Sequence, residues 1–156
     1  MNQIFGMIRI GRAEIPIDQS LSLSWSRSEA AARRASYQRA LRVALALEVA
    51  IAAYALLAPS SFSALLGLPP PGPAGWVSAW GGLLLFVATL HIPGLLDPVR
   101  RRWSNVFGII GRFFLALIYL IAGGGFLWLA ILQAALATVL AIFYFRLFRA
   151  ELMSRP

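Results

Sequence analysis

The sequence of 156 residues contains no cysteine, no lysine and a single histidine, His91. Without cysteine there is no disulfide framework, no thiolate nucleophile and no cysteine-based metal or cluster site. One imidazole is also too few for a histidine metal cage. The sequence therefore predicts that the protein holds neither a metal nor a cofactor.

Charged residues are scarce as well. They make up 13% of the chain, and hydrophobic residues make up 60%, whereas soluble domains average about 25% and 45–50%. The sequence also has no phosphate-binding loop, catalytic triad, carboxylate dyad or nucleophile elbow. These absences argue against an enzyme and favour an integral membrane protein.

The net charge of +8 comes entirely from arginine and lies in three short segments. Residues 1–42 hold seven arginines against three acids. Residues 97–102 hold three arginines against Asp97, and residues 146–156 hold three against Glu151. Because long apolar runs separate these segments, the arginines indicate on which side of the membrane each segment lies. They do not indicate a nucleic-acid partner.

Four apolar runs predict four spanning helices, since a bilayer needs about 20 apolar residues and tolerates about 17. They cover residues of about 43–58, 76–92, 104–122 and 126–146. A triple glycine at 123–125 divides the last two into a tight hairpin. The predicted fold is all-α: a polytopic bundle of four transmembrane helices over residues 43–148, followed by a tail at 149–156.

The distribution of arginine predicts the orientation of the bundle. The two connections at residues 59–75 and 123–125 carry no charge, and arginine concentrates in short cytoplasmic loops. Both termini are therefore expected in the cytoplasm. Seven arginines are expected to contact lipid headgroups: Arg33, Arg34, Arg39, Arg42, Arg100, Arg101 and Arg102.

The basic head at residues 1–42 is expected to lie at the cytoplasmic membrane surface. Residues 4–10 mix apolar and polar side chains, which suits an amphipathic segment on the membrane or on a protein partner. Residues 1–25 lack the apolar core and cleavage site of a signal peptide. Ser26 and Glu29 have the spacing of a capping box, so a helix is expected to start at about residue 27.

Two further local patterns lie in the loops. Residues 60–66 predict a short helix on the outer surface that buries Phe62, Leu65 and Leu66. The prolines that follow, at 69–73, stiffen the return to the second span, or alternatively form a polyproline ligand. Asp97 and Pro98 are typical of an N-cap and first helical residue.

Glu48 and Arg112 are the two charges inside predicted spans. Glu48 lies six residues past Arg42 and Arg112 lies six residues past Val106, so both fall roughly 9 Å into the membrane. A central charge costs about 2.5–3.5 kcal/mol on insertion scales, and we therefore expect a structural ion pair. Alternatives are a titrating Glu48 in a transporter, snorkelling, or pairing with a lipid or another subunit.

Three uncharged polar residues are possible cofactor or partner contacts. His91 ends the second span, where it is expected to be hydrogen-bonded; the alternative is a single axial ligand to a pigment or haem. Gln133 and Tyr119 are expected to form interhelical hydrogen bonds rather than a substrate site.

Several short motifs resemble small bacterial four-helix membrane proteins of the DoxX-like kind, over residues 45–145. The matching residues are Ala58-Pro59, Phe62, Leu66-Gly67-Leu68, Trp76, Gly81-Gly82, Leu96-Asp97-Pro98, Arg102-Trp103 and Gly111-Arg112. The resemblance implies a bacterial inner-membrane location and an accessory role beside a redox complex, and it identifies no site residue.

The function expected from the sequence is that of a non-catalytic accessory or scaffold subunit in a larger membrane complex. Its expected partners are the lipid bilayer and other membrane-protein subunits. One alternative is a small oligomeric proton-coupled transporter that uses Glu48. A further alternative is a quinone- or pigment-binding membrane protein.

Overall fold

The computed structural model describes residues 17–72 and 75–154, and within them it contains helices and no strand. The amphipathic segment predicted for residues 4–10 lies outside the described residues. Six helices follow one another along the chain: α1 (Ile17–Leu57), α2 (Pro59–Leu65), α3 (Gly75–Leu90), α4 (Ile92–Leu96), α5 (Arg102–Ala122) and α6 (Phe126–Met153).

Four helical segments are long and apolar enough to cross a membrane, which confirms the all-α fold with four candidate spans. Helices α3 and α4 together form the second of these, with His91 at the turn between them. The described part of the chain is thus a multi-pass membrane protein. The four segments are Trp25–Leu57, Gly75–Leu96, Arg102–Ala122 and Phe126–Met153.

Helix α1 is the centre of the bundle. It packs against α3 on one side and α6 on the other, and α5 packs against α6. Small residues allow the close approach between α1 and α3. A Cβ on Gly81 would lie 2.7 Å from the backbone oxygen of Ala52. Helices α3 and α5, in contrast, leave a gap between them, and the candidate site lies there.

Helix α1 begins at Ile17, ten residues before the start that the capping-box spacing predicts. Ser26 and Glu29 therefore lie inside the helix, where Glu29 accepts a hydrogen bond from Arg33 at 3.3 Å instead of capping. The physical reason is that no glycine or proline interrupts residues 17–57, so nothing breaks the helix in this stretch.

The short outer helix α2 forms where the sequence predicts it, but it buries fewer side chains. Phe62 is buried together with Ser63, whereas Leu65 is exposed and Leu66 is half-buried. At about 100° per residue, Leu65 is turned roughly 110° away from the centre of the buried face. The expected burial of Leu65 is therefore wrong.

The Asp97–Pro98 pair forms a turn and does not cap α5, which corrects the predicted N-cap. The Asp97 carboxylate accepts a hydrogen bond from the Arg100 backbone at 3.1 Å, and its carbonyl accepts one from Arg101 at 3.0 Å. These local bonds hold residues 98–101 as a turn. Helix α5 consequently begins at Arg102.

Candidate functional site

The two charges predicted inside the membrane meet in the centre of the bundle. Arg112 on α5 donates two parallel hydrogen bonds to Glu48 on α1: Nη1 to Oε1 at 2.6 Å and Nη2 to Oε2 at 2.8 Å. Both residues are only 2% exposed. This two-point geometry is the strongest that an arginine and a carboxylate form.

Gln133 on α6 completes the group. Its Oε1 accepts a hydrogen bond from Arg112 Nη1 at 3.3 Å, and its Nε2 lies 3.5 Å from Glu48 Oε1 as a weak donor. An amide suits this position because it offers an acceptor to the cation and a donor to the anion. We call Glu48, Arg112 and Gln133 the buried triad; it links α1, α5 and α6.

The buried triad is suited to holding helices together rather than to moving protons. Both carboxylate oxygens of Glu48 are engaged by the guanidinium. Removing one member of a buried pair leaves an uncompensated charge, which costs about 3–5 kcal/mol in soluble proteins. The two helices that carry the charges are thereby held at a defined depth relative to one another.

A crevice of about 350 Å³ lies between α3 and α5, directly beside the buried triad. Its walls are mainly apolar and include Val87, Leu90, Phe107 and Leu115, while Glu48 and Arg112 line its inner end. Phe107 is exposed at the rim, so the crevice faces the surroundings of the bundle. It falls within the usual size range of small-molecule sites.

His91 also lines this crevice, from the turn between α3 and α4. Its Nδ1 lies 2.9 Å from the carbonyl oxygen of Val87. Because a carbonyl only accepts, Nδ1 carries the proton and Nε2 is left as an acceptor in the neutral ring. The imidazole packs on Gly108, where a Cβ would overlap Nε2.

Asn105 is a buried polar residue that the sequence analysis did not identify. Its Nδ2 donates to the carbonyl oxygens of Gly94 and Pro98, both at 3.3 Å, and so joins α4 and the following turn to α5. Asn105 precedes Gly108 by three residues and Arg112 by seven. That spacing places all three on one face of α5, and it is the signal that could have identified Asn105.

Tyr119 lies apart from the triad and the crevice. It follows Arg112 by seven residues, or about 10 Å along α5. It belongs to an aromatic cluster with Phe62, Trp80 and Phe126 at the opposite end of the bundle. The buried hydroxyl of Tyr119 makes no hydrogen bond of standard geometry among the described residues, but the Trp80 side chain on α3 interacts with it as a weak hydrogen-bond partner, so the interhelical bond predicted for Tyr119 is formed only weakly. Of the three polar residues proposed as contacts, the structure thus brings Gln133 and His91 to the site.

Of the seven arginines expected at lipid headgroups, two form ion pairs with glutamates and five are exposed. Arg33 pairs with Glu29 at 3.3 Å, and Arg34 pairs with Glu151 of α6 at 2.6 Å. The remaining five are exposed: Arg39, Arg42, Arg100, Arg101 and Arg102. Headgroup contact by these side chains stays a prediction.

The described residues contain no group of three side chains able to hold a metal ion. The fold and site together define a multi-pass helical membrane protein with the buried triad beside a lateral crevice. Comparison with known proteins finds no matching family model, curated protein or solved structure.

Proposed function

We propose that this protein is a non-catalytic accessory subunit of a larger complex in a bacterial inner membrane. The observation that carries the proposal is the length of α1. Its 41 residues span about 60 Å, roughly twice the hydrocarbon thickness of a bilayer. About half of α1 is therefore available outside the membrane, at the arginine-rich end of the bundle.

The projecting part of α1 is braced against the end of α6. Tyr37 packs on Tyr144 with ring centroids 5.2 Å apart, and Arg34 pairs with Glu151. Two helices held together in this way form a stalk rather than a loose tail. The stalk presents Trp25, which is 74% exposed, and exposed tryptophan is enriched among the residues that anchor protein interfaces.

The engaged carboxylate of Glu48 supports a structural role over a transport role. A proton-coupled transporter needs a carboxyl group that can release its partner, whereas both oxygens of Glu48 are bound by Arg112. The DoxX-like resemblance, which implies an accessory role beside a redox complex, agrees with this choice.

Trp25→Ala tests the partner surface. A tagged chain extracted from its native membrane in mild detergent should carry a stoichiometric partner, detected by native mass spectrometry. The substitution should weaken that association about tenfold or more, because truncating an interface anchor costs about 2 kcal/mol. Trp128→Ala is the matched control, since Trp128 is 72% exposed at the opposite end of the bundle. A clean monomer, or a partner lost only in Trp128→Ala, would overturn the proposal.

The orientation of the bundle can be measured by labelling single cysteines, since the natural chain has none. Ser60 in α2 and Met153 at the end of α6 are both exposed and lie at opposite ends of the bundle. We expect Ser60→Cys to react with an impermeant maleimide in intact spheroplasts, and Met153→Cys to react only after permeabilisation. The reverse pattern would refute cytoplasmic termini.

A further inference from the structure

The stalk formed by α1 and α6 contains a groove of about 690 Å³ at the arginine-rich end of the bundle. Three arginines and one glutamate line it, which gives the groove a net charge of +2. These residues are Glu29 and Arg33 on α1, and Arg146 and Arg149 on α6. A concave surface of one charge attracts ligands of the opposite charge, so the groove favours an anion.

The two arginines on α6 are available to such an anion. Both Arg146 and Arg149 are exposed, and neither forms an ion pair with another described residue. Arg33, in contrast, is already paired with Glu29 at 3.3 Å. Arg146 and Arg149 are three residues apart and are therefore neighbours on the helix surface. A guanidinium binds phosphate oxygens through two parallel hydrogen bonds, which suits this pair to phosphate groups.

The position of Arg146 and Arg149 along α6 places them at the depth of lipid headgroups. Helix α6 begins at Phe126, and residues 126–145 rise about 30 Å, the thickness of the hydrocarbon core. Arg146 is the next residue, and Arg149 lies about 4.5 Å further along the axis. The headgroup layer beyond the hydrocarbon is about 5–8 Å thick. Both guanidinium groups therefore start from this layer, where the abundant anions are phosphodiesters of lipids.

The face of α6 that carries these arginines continues into the membrane as an apolar surface. Ile142 and Phe145 are 47% and 67% exposed. Positions 142, 145, 146 and 149 share one helix face, because they follow the spacing i, i+3, i+4 and i+7. An acyl chain can lie along Ile142 and Phe145 while its headgroup contacts the arginines. A soluble phosphate or an acidic peptide would leave this apolar surface uncovered.

We propose that the groove is a selective site for a phospholipid whose headgroup carries two phosphodiesters. The two negative charges match the net charge of the groove, with the phosphates at Arg146 and Arg149 and an acyl chain along the apolar face of α6. Trp25 lies eight residues from Arg33, or about 12 Å along α1. A lipid at the arginines thus leaves Trp25 accessible to a protein partner, and either proposal can fail without the other.

Native mass spectrometry of the delipidated protein in detergent tests the selectivity. The protein is titrated separately with tetraoleoyl cardiolipin, dioleoyl phosphatidylglycerol and dioleoyl phosphatidylethanolamine. We expect saturable binding of a single cardiolipin, about fivefold or more tighter than phosphatidylglycerol, because one further charge is neutralised at the membrane surface. The zwitterionic lipid should bind most weakly. Equal affinities for the two anionic lipids, or displacement of cardiolipin by excess inorganic phosphate, would reject the proposal.

The double variant Arg146→Gln/Arg149→Gln tests the location of the site. Its affinity for cardiolipin should fall about twentyfold, as expected for the loss of two arginine contacts at the membrane surface. Arg100→Gln/Arg101→Gln is the matched control, since it removes the same charge from two exposed arginines of the described chain that do not line the groove. All four side chains are exposed, so both variants should fold. Equal losses in the two variants, or no loss in the first, would overturn the site.

Discussion

Replacing Arg112 by Met is expected to lower the free energy of unfolding by about 3 kcal/mol. The substitution leaves the Glu48 carboxylate buried without its two hydrogen bonds, and Gln133 alone cannot replace them. The loss should appear as a lower midpoint of denaturation, followed by circular dichroism in detergent. Glu48→Leu should destabilise the protein to a similar extent, because it leaves the guanidinium of Arg112 buried without a carboxylate partner.

The double variant Glu48→Leu/Arg112→Met is the control for this prediction. An apolar pair of similar volume leaves no unpaired charge, and such replacements of buried ion pairs are often close to neutral. The double variant should therefore be more stable than either single variant. If the two single losses simply added, the charges would not be coupled and the structural role of the pair would be refuted.

Gly125→Ala is expected to have an effect of comparable size at the opposite end of the bundle. A Cβ on Gly125 would overlap the backbone carbonyl of Leu66, just beyond α2. Because the obstacle is backbone and not a flexible side chain, the hairpin between α5 and α6 must move away from α2. Overpacking of this kind typically costs 1–3 kcal/mol, and about 3 kcal/mol is expected here.

Gly75→Ala provides the matched control for Gly125→Ala. Gly75 begins α3 much as Gly125 precedes α6, and a Cβ there would meet nothing within 4 Å. Thermal unfolding monitored by size-exclusion fluorescence should show a clear decrease for Gly125→Ala and almost none for Gly75→Ala. Equal unfolding midpoints for the two variants would show that the backbone at Leu66, after α2, is not in close contact with the hairpin at Gly125.

The four spans could be predicted from the sequence because spanning a bilayer is a local requirement of length and apolarity. The helix boundaries were harder to predict. Residues 17–26 mix apolar side chains with polar ones and contain no helix breaker, and nothing in their composition shows whether α1 extends through them. The burial around α2 also depends on how a seven-residue helix is rotated against the bundle, which no local pattern specifies.

The candidate site could be predicted only in part, for a related reason. Glu48 and Arg112 stand out because a charge in an apolar run requires a partner, and their matched depth indicates which one. Uncharged polar residues carry a smaller cost, so the sequence predicts an interhelical hydrogen bond for Gln133 but does not indicate that its partners are Arg112 and Glu48. The position of His91 on Gly108 depends on a contact between α5 and the turn after α3, and this contact arises only when the bundle forms.

The buried triad also has a consequence for the order in which the protein is made. Arg112 follows Glu48 by 64 residues, so the ribosome delivers α1 to the insertion machinery well before α5 exists. At that moment the Glu48 helix is penalised by about 2.5–3.5 kcal/mol, with no guanidinium to offset it. The first helix therefore carries this cost in the bilayer until the third is inserted, and pairing of Arg112 with Glu48 then gives the assembling bundle a late gain in stability.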